Sequence, residues 1–154
     1  MTIHRLTVEE RKNIDVMGWF SVMMHCEREH CNTFFDNGNL KEIQKAMKGD
    51  PLLDLYIIYL TVDNERFEVG RFGIRDTGDT KCLTGLVIYK PYRNQGIFKK
   101  VIDYLLQDNQ PFCLYTSNRF MLASLFNDTR FISNGWLERE NTLEIDVKFE
   151  TVGR

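Results

Sequence analysis

Apolar residues recur along this chain with two different periods, and the changeover divides it into a helical first third and a sheet-forming remainder. A short strand is predicted over 3–6. Thr7, with Glu10 three residues later, has the form of a capping box, and beyond it Ile14, Met17, Phe20 and Met24 fall at helical spacing. The spacing predicts a long, broken helical region that ends at Asn37-Gly38. Asn39 can cap a second, short helix with Leu40, Ile43 and Met47 on one face, which Gly49-Asp50-Pro51 stops.

From residue 55 the period becomes two. The run 55–62 (LYIIYLTV) is rich in β-branched and aromatic residues, Asp63-Asn64 is turn chemistry, and 66–75 alternates again, so the two read as an antiparallel hairpin. A turn at 76–79 leads into a third strand over 81–89, making a meander. The helix predicted over 96–107 sets Ile97, Val101, Ile102, Leu105 and Leu106 on one face, and Asn109-Gln110-Pro111 hands over to a strand at 112–116. Strand, helix and strand in that order imply a parallel, right-handed crossover. Ser117 or Asn118 can cap a further helix carrying Phe120, Leu122, Leu125 and Phe126, and strands over 131–136 and 142–149 flank a last turn. The final strand alternates, with Leu143, Ile145, Val147 and Phe149 inward. The pattern predicts an α+β fold: a mixed, mostly antiparallel sheet with helices on both faces and one parallel strand-helix-strand crossover. A single domain over 1–154 is expected.

Composition narrows the classes of function. With 154 residues, 43% hydrophobic and 27% charged, the chain can bury a core of its own. Twenty Lys and Arg oppose twenty-two Asp and Glu for a net charge of −2, and no basic block has the density that phosphate backbones favour, so no nucleic-acid partner is expected. No apolar run approaches the length of a bilayer span and the first residues are polar, so no membrane partner and a soluble, cytoplasmic protein are expected. The four cysteines, Cys26, Cys31, Cys82 and Cys113, are expected as free thiols in a reducing compartment, with disulfides the lesser alternative.

One stretch carries chemistry. PYRNQGIFKKVIDYLL, residues 91 to 106, puts a polar loop and one glycine where a buried strand, CLTGLVIY, hands over to an amphipathic helix. The first N–H groups of a helix lack intrahelical partners and carry partial positive charge, which suits an anion such as a diphosphate. Gly96 lets the main chain approach such a ligand and adopt dihedrals that other residues resist, while Arg93, Lys99 and Lys100 add attraction at longer range. From spacing alone, an ordinary solvated loop fits the same residues equally well. A second cluster, MMHCEREHCN, places Cys26 and His30 on one helical face and His25 and Glu29 on another. Four ligands from one continuous helix cannot converge tetrahedrally, so no metal is expected there. Trp19, Phe20, Phe34 and Phe35 read as core.

CLTGLVIYKPYRNQGIFKKVIDYLL resembles the acyl-CoA-binding core of the GNAT superfamily of N-acetyltransferases, in which a [RQ]-x-x-G-x-[GA] loop opens the crossover helix. The likeness continues through LYTSNRFMLASLFNDTRFISNGW, similar to that family's next strand, asparagine, helix and terminal hairpin. It covers about residues 80 to 149 in sequence and the whole chain in element order. The resemblance implies acetyl-CoA as co-substrate, no metal, and transfer to the amine of a small-molecule or protein acceptor. It implies pyrophosphate-binding amides at Asn94, Gln95, Gly96, Ile97 and Phe98, with Arg93 at the loop's first position. Pantetheine would pair along Leu86, Val87 and Ile88, and Asn118 would hold the cofactor arm. His25 and Glu29 fall in a region that borders the acceptor site in such folds. The number of subunits stays open, a dimer included.

Three positions depart from the family's pattern. Phe98 stands where glycine or alanine is common, Phe126 where many active members have a proton-donating tyrosine, and Arg130 in place of the glycine of a Gly-Phe step. Phe126 cannot donate a proton and reads as core packing, so the acid would be Tyr115 or solvent. The third strand holds no acid, which leaves Glu65 and Glu68 as the candidate bases, Glu68 being the one assigned here. A main-chain N–H near Val87 or Ile88 would hold the oxyanion. A second reading keeps this fold without turnover, as a binding or structural protein of the phage-encoded GNAT-like kind.

Overall fold

Asp63 and Asn64 both take positive φ, 52° and 65°, the backbone of a two-residue I′ turn, and the flanking strands pair outward from Val62 and Glu65. This hairpin is part of a computed structural model that describes residues 1–13, 52–116, 118–138 and 145–152. Along the chain these residues form β1 (Thr2–Arg5), α1 (Val8–Lys12), β2 (Leu53–Val62), β3 (Glu65–Asp76), β4 (Lys81–Ile88), α2 (Ile97–Leu105), β5 (Phe112–Thr116), α3 (Arg119–Phe126), β6 (Phe131–Glu138) and β7 (Ile145–Thr151). The capping box is formed: Thr7 Oγ1 accepts from the Glu10 N–H, and the Glu10 carboxylate accepts from the Thr7 N–H.

The strands make one sheet in the order β1-β2-β3-β4-β5-β7-β6, antiparallel throughout except for the parallel pair β4 and β5. The predicted meander and crossover are both present. The helix of the crossover, α2, buries Ile97, Val101, Ile102 and Leu105. Each such aliphatic side chain contributes about 1.5–3 kcal/mol when fully buried. They join Phe72, Ile74, Leu83, Phe112, Leu114, Phe149 and, from α3, Leu125 in one core cluster.

Alternation along the strands sorts the two faces. Phe112, Leu114 and Leu83 lie on the face covered by α2 and α3, so Cys82 and Cys113 lie on the other. Those two cysteines face each other in register and are joined as a disulfide, with Cα atoms 4.9 Å apart, where the sequence predicts free thiols. They are 31 residues apart along the chain, and only the parallel register brings them together.

The last helix also differs from expectation. Asn118 caps α3 and sets its phase so that Leu125 is buried, while Phe126, read from the sequence as core packing, is 60% exposed, as is Phe120. The helix is only eight residues long, and its single inward stripe passes through Leu122 and Leu125, which leaves the two phenylalanines at its edges. Phe126 still lays its ring edge-on to Phe149 at 5.0 Å. The helices predicted between 14 and 51, the His25–Cys31 cluster and Leu143 lie outside the described residues.

Candidate active site

The site begins with a defect in β4. Gly73 faces Gly85 and Ile74 faces Leu83, so Thr84 has no partner on β3 and forms a β-bulge. On its other side β4 pairs with β5 only through Lys81, Cys82 and Leu83, opposite Phe112, Cys113 and Leu114. Pairing stops where the bulge starts. Beyond it the two strands diverge, β4 following β3 to Ile88 and β5 following β7 to Thr116, and a gap opens between their carboxyl ends. A glycine inside an apolar strand, Gly85, is the sequence signal that marks such a bend.

The phase of the ladder decides what faces this gap. The Tyr89 N–H donates to the Val69 carbonyl at 2.9 Å, so residues 85, 87 and 89 turn their main-chain groups toward β3. Leu86 and Ile88 therefore turn theirs into the gap. Of the three residues that the resemblance places on pantetheine, two offer main-chain groups and Val87 does not. The Ile88 carbonyl is already bonded, by Arg93 Nε at 2.7 Å.

After Ile88 the chain makes a 3-10 turn over Lys90–Tyr92, held by the Tyr92 N–H on the Tyr89 carbonyl, and reaches the mouth of the gap. Asn94 has φ 63°, and Gly96, the N-cap of α2, has φ 78° and ψ 11°. Glycine is the residue that takes this left-handed conformation without strain. A Cβ at Gly96 would meet nothing within 4 Å, so open space lies against the main chain there. Among the described residues no acceptor is bonded to the N–H groups of Asn94, Gln95, Gly96, Ile97, Phe98 or Lys99. Asn94, Gln95 and Gly96 are exposed, whereas the Ile97 side chain is buried and anchors the turn from below. Six unpaired donors at a helix start form a cradle for an anion. Phe98 fits where a smaller residue is common because its ring packs on the core cluster and leaves its amide free.

Across the gap, Asn118 spends its Oδ1 on the N–H groups of Phe120 and Met121, at 3.0 and 3.3 Å. Its amide nitrogen is the group left to bond a ligand. The two catalytic candidates share the sheet face opposite α2 and α3. Tyr115, 47% exposed near the end of β5, follows Cys113 on that face and pairs with Lys148, whose ammonium sits 5.9 Å from the ring centre. Glu68 accepts from Arg71 Nε at 2.9 Å and from the Tyr89 hydroxyl, and Arg71 pairs with Val87 on the same face. The structure thus sets Glu68 and Tyr115 on opposite sides of the gap. The partners Arg71 and Tyr89 escape a reading of spacing, since they meet Glu68 only through the bulged register of β3.

A second concavity, of about 560 Å³, lies outside the gap between α2 and the turn that follows α3. Arg130 bridges its rim. Its guanidinium donates to Asp103 of α2 at 2.8 Å and, through Nη2 and Nε, to Asp128 at 2.8 and 3.0 Å. Hydrogen bonding to Arg130 holds the Asp128 carboxyl below the usual carboxylate range, and Asp128 in turn raises the Arg130 guanidinium further. A carboxyl with a lowered folded pKa stabilises the protein above its unfolded value and loses that contribution as pH falls through the folded one. Urea unfolding across a pH series should therefore show stability falling below about pH 4, with a shallower fall in Asp128→Asn. Equal slopes in the two proteins would contradict this assignment.

No family model matches this sequence, and no curated protein matches it. Solved structures do match. An IAA acetyltransferase from Bacillus cereus superposes with TM-score 0.63 at 10% identity, over 97% of this chain and 97% of that one. A spermidine N-acetyltransferase variant from Vibrio cholerae gives 0.60 at 12%, over 98% and 94%. An aminoglycoside 6′-N-acetyltransferase complexed with coenzyme A gives 0.59 at 14%, over 98% and 96%. At these identities the similarity establishes architecture: the chain has the fold of the GNAT acetyltransferases.

Proposed function

We propose that this protein is an acetyl-CoA-dependent N-acyltransferase that moves an acetyl group to an amine by direct attack in a ternary complex. The observation that carries the reading is that, among the described residues, β4 and β5 stand unpaired beyond Leu83 with the unpaired amides of residues 94–99 at the mouth of the gap. The residues fit the co-substrate in charge and shape. A diphosphate satisfies the donors of the turn, the amides of pantetheine complete the main-chain groups of Leu86 as an added strand would, and Asn118 Nδ2 bonds the arm from the far side.

The reaction asks little more of the chain. Acetyl-CoA supplies an activated thioester. The Ile88 N–H faces the gap and can hold the oxyanion that develops on the thioester carbonyl. Val87, the other candidate for that role, turns its N–H to β3. The acceptor nitrogen must arrive neutral, and Glu68, whose bonds to Arg71 and Tyr89 support the role, is the carboxylate that would take its proton. Tyr115 across the gap can protonate the departing thiolate, the role that Phe126 cannot fill. Holding both partners in line supplies much of the remaining acceleration. The solved structures of this fold named above include enzymes for spermidine and for aminoglycosides, which supports a primary amine as acceptor.

Calorimetry with acetyl-CoA tests the reading. Saturable one-to-one binding is expected, followed by release of free CoA thiol when a panel of polyamines, aminoglycosides and N-terminal peptides is added. A protein that gives no heat with acetyl-CoA at 1:1 or in excess would overturn it.

A further inference from the structure

We propose that Arg130 is a positioning residue for the CoA arm: by clasping α2 to the turn after α3 it fixes the separation of the two helices whose starts flank the gap. This rests on the acyl-CoA reading and adds to it a residue at a position where the resemblance predicts glycine. Four observations lead here. First, α2 and α3 do not pack closely at this level, because the 560 Å³ concavity lies between them, with Ile102 and Asp103 on one wall and Ser124 and Leu125 on the other. Second, the two helices carry the two halves of the ligand site, the amides of residues 94–99 at the start of α2 and Asn118 at the start of α3. Their spacing is the width of that site.

Third, the clasp spans the concavity at its rim. One guanidinium edge holds Asp128, which is also fixed through its Oδ1 by the Arg130 N–H at 2.9 Å, and Nη1 reaches Asp103 at 2.8 Å. A planar fork can serve two carboxylates at once in fixed geometry, whereas a lysine acts as a point charge. Fourth, Arg130 is anchored to the sheet as well, since its carbonyl accepts from the Val152 N–H at 2.9 Å. The clasp therefore ties α2 to the β6–β7 end of the sheet, adding a polar link to the core cluster that α2 and these strands share.

The experiment measures CoA dissociation constants by calorimetry, with melting temperature and far-UV circular dichroism as the controls for folding. Wild type, Arg130→Ala, Asp103→Ala, Arg130→Lys and the Arg130→Ala/Asp103→Ala pair are compared. Arg130→Ala and Asp103→Ala should each bind CoA about tenfold more weakly while remaining folded, and the pair should be no weaker than either alone, because both act through one contact. Arg130→Lys should recover melting temperature without recovering affinity. Folded variants that bind within twofold of wild type overturn the clasp and leave the acyl-CoA reading intact. Weak binding by Arg130→Ala alongside wild-type binding by Asp103→Ala also overturns it, since Arg130 would then touch the ligand directly. Should Arg130→Ala fail to fold, Asp103→Ala decides alone, as it leaves the Arg130–Asp128 pair in place. Absence of binding by the wild type instead removes the acyl-CoA reading itself.

Discussion

Gly96→Glu should abolish acetyl-CoA binding, lowering affinity by about 1,000-fold or more. Two penalties act together at this residue. Its φ of 78° is left-handed, a conformation that costs an L-residue about 1–2 kcal/mol. The new carboxylate would also project into the open space against the turn, where the diphosphate is expected. Two unit charges 4 Å apart near a protein surface repel by about 4 kcal/mol. Gly96→Ala separates the two effects. It carries the strain without the charge and has room for its methyl group, so it should bind about tenfold more weakly at most. Calorimetry on the three proteins checks this, with circular dichroism to confirm folding. If the glutamate variant bound within twofold of wild type, the turn would not be the anion site.

Phe72→Ala should produce the largest loss of stability. Phe72 is fully buried at the centre of β3, faces Leu86 in register, and stacks on Tyr56 with ring centres 4.6 Å apart and planes 4° from parallel. Removing a buried phenylalanine ring costs about 3–5 kcal/mol, transfer and cavity terms together. A domain of this size has about 5–15 kcal/mol in total, so the variant should sit near the edge of folding. Its melting temperature should drop by roughly 10 °C or more. Phe120→Ala makes the contrast: its ring is 60% exposed on α3 and should change stability by no more than about 0.5 kcal/mol. Urea unfolding of both variants measures the difference. A loss below about 1 kcal/mol for Phe72→Ala would place the core elsewhere.

Much of this architecture is legible in the sequence because local chemistry and global fold agree. The turn Asp63-Asn64, the capping box at Thr7, the Asn118 cap and the 97-101-102-105 stripe of α2 are each fixed by residues within a few positions of one another. The turn at 94–96 with its left-handed glycine is legible for the same reason, since loop, glycine and helix start are contiguous. What escapes is whatever depends on register. The Cys82–Cys113 disulfide, the Glu68–Tyr89 contact and the bulge at Thr84 arise from which residue lies opposite which across strands, and the Glu68–Arg71 pair from the irregularity at Val69 that brings both to one face of β3. The exposure of Phe120 and Phe126 escapes because an apolar residue at helical spacing points inward only when the helix sits low enough on the sheet, and α3 is short and perched at its edge.

The bulge at Thr84 has a further meaning for how such a cleft can arise or vanish. Leu83 and Leu86 both face the helices, and a regular strand places residues two apart on one face, so excising Thr84 would bring Leu86 into the slot two beyond Leu83 and keep every later side chain on its present side. The apolar pattern would survive intact while the bend disappeared, and β4 would be free to zip onto β5. A one-codon deletion would thus turn a sheet that is open between β4 and β5 into one that is closed, with every remaining side chain of β4 on its present face.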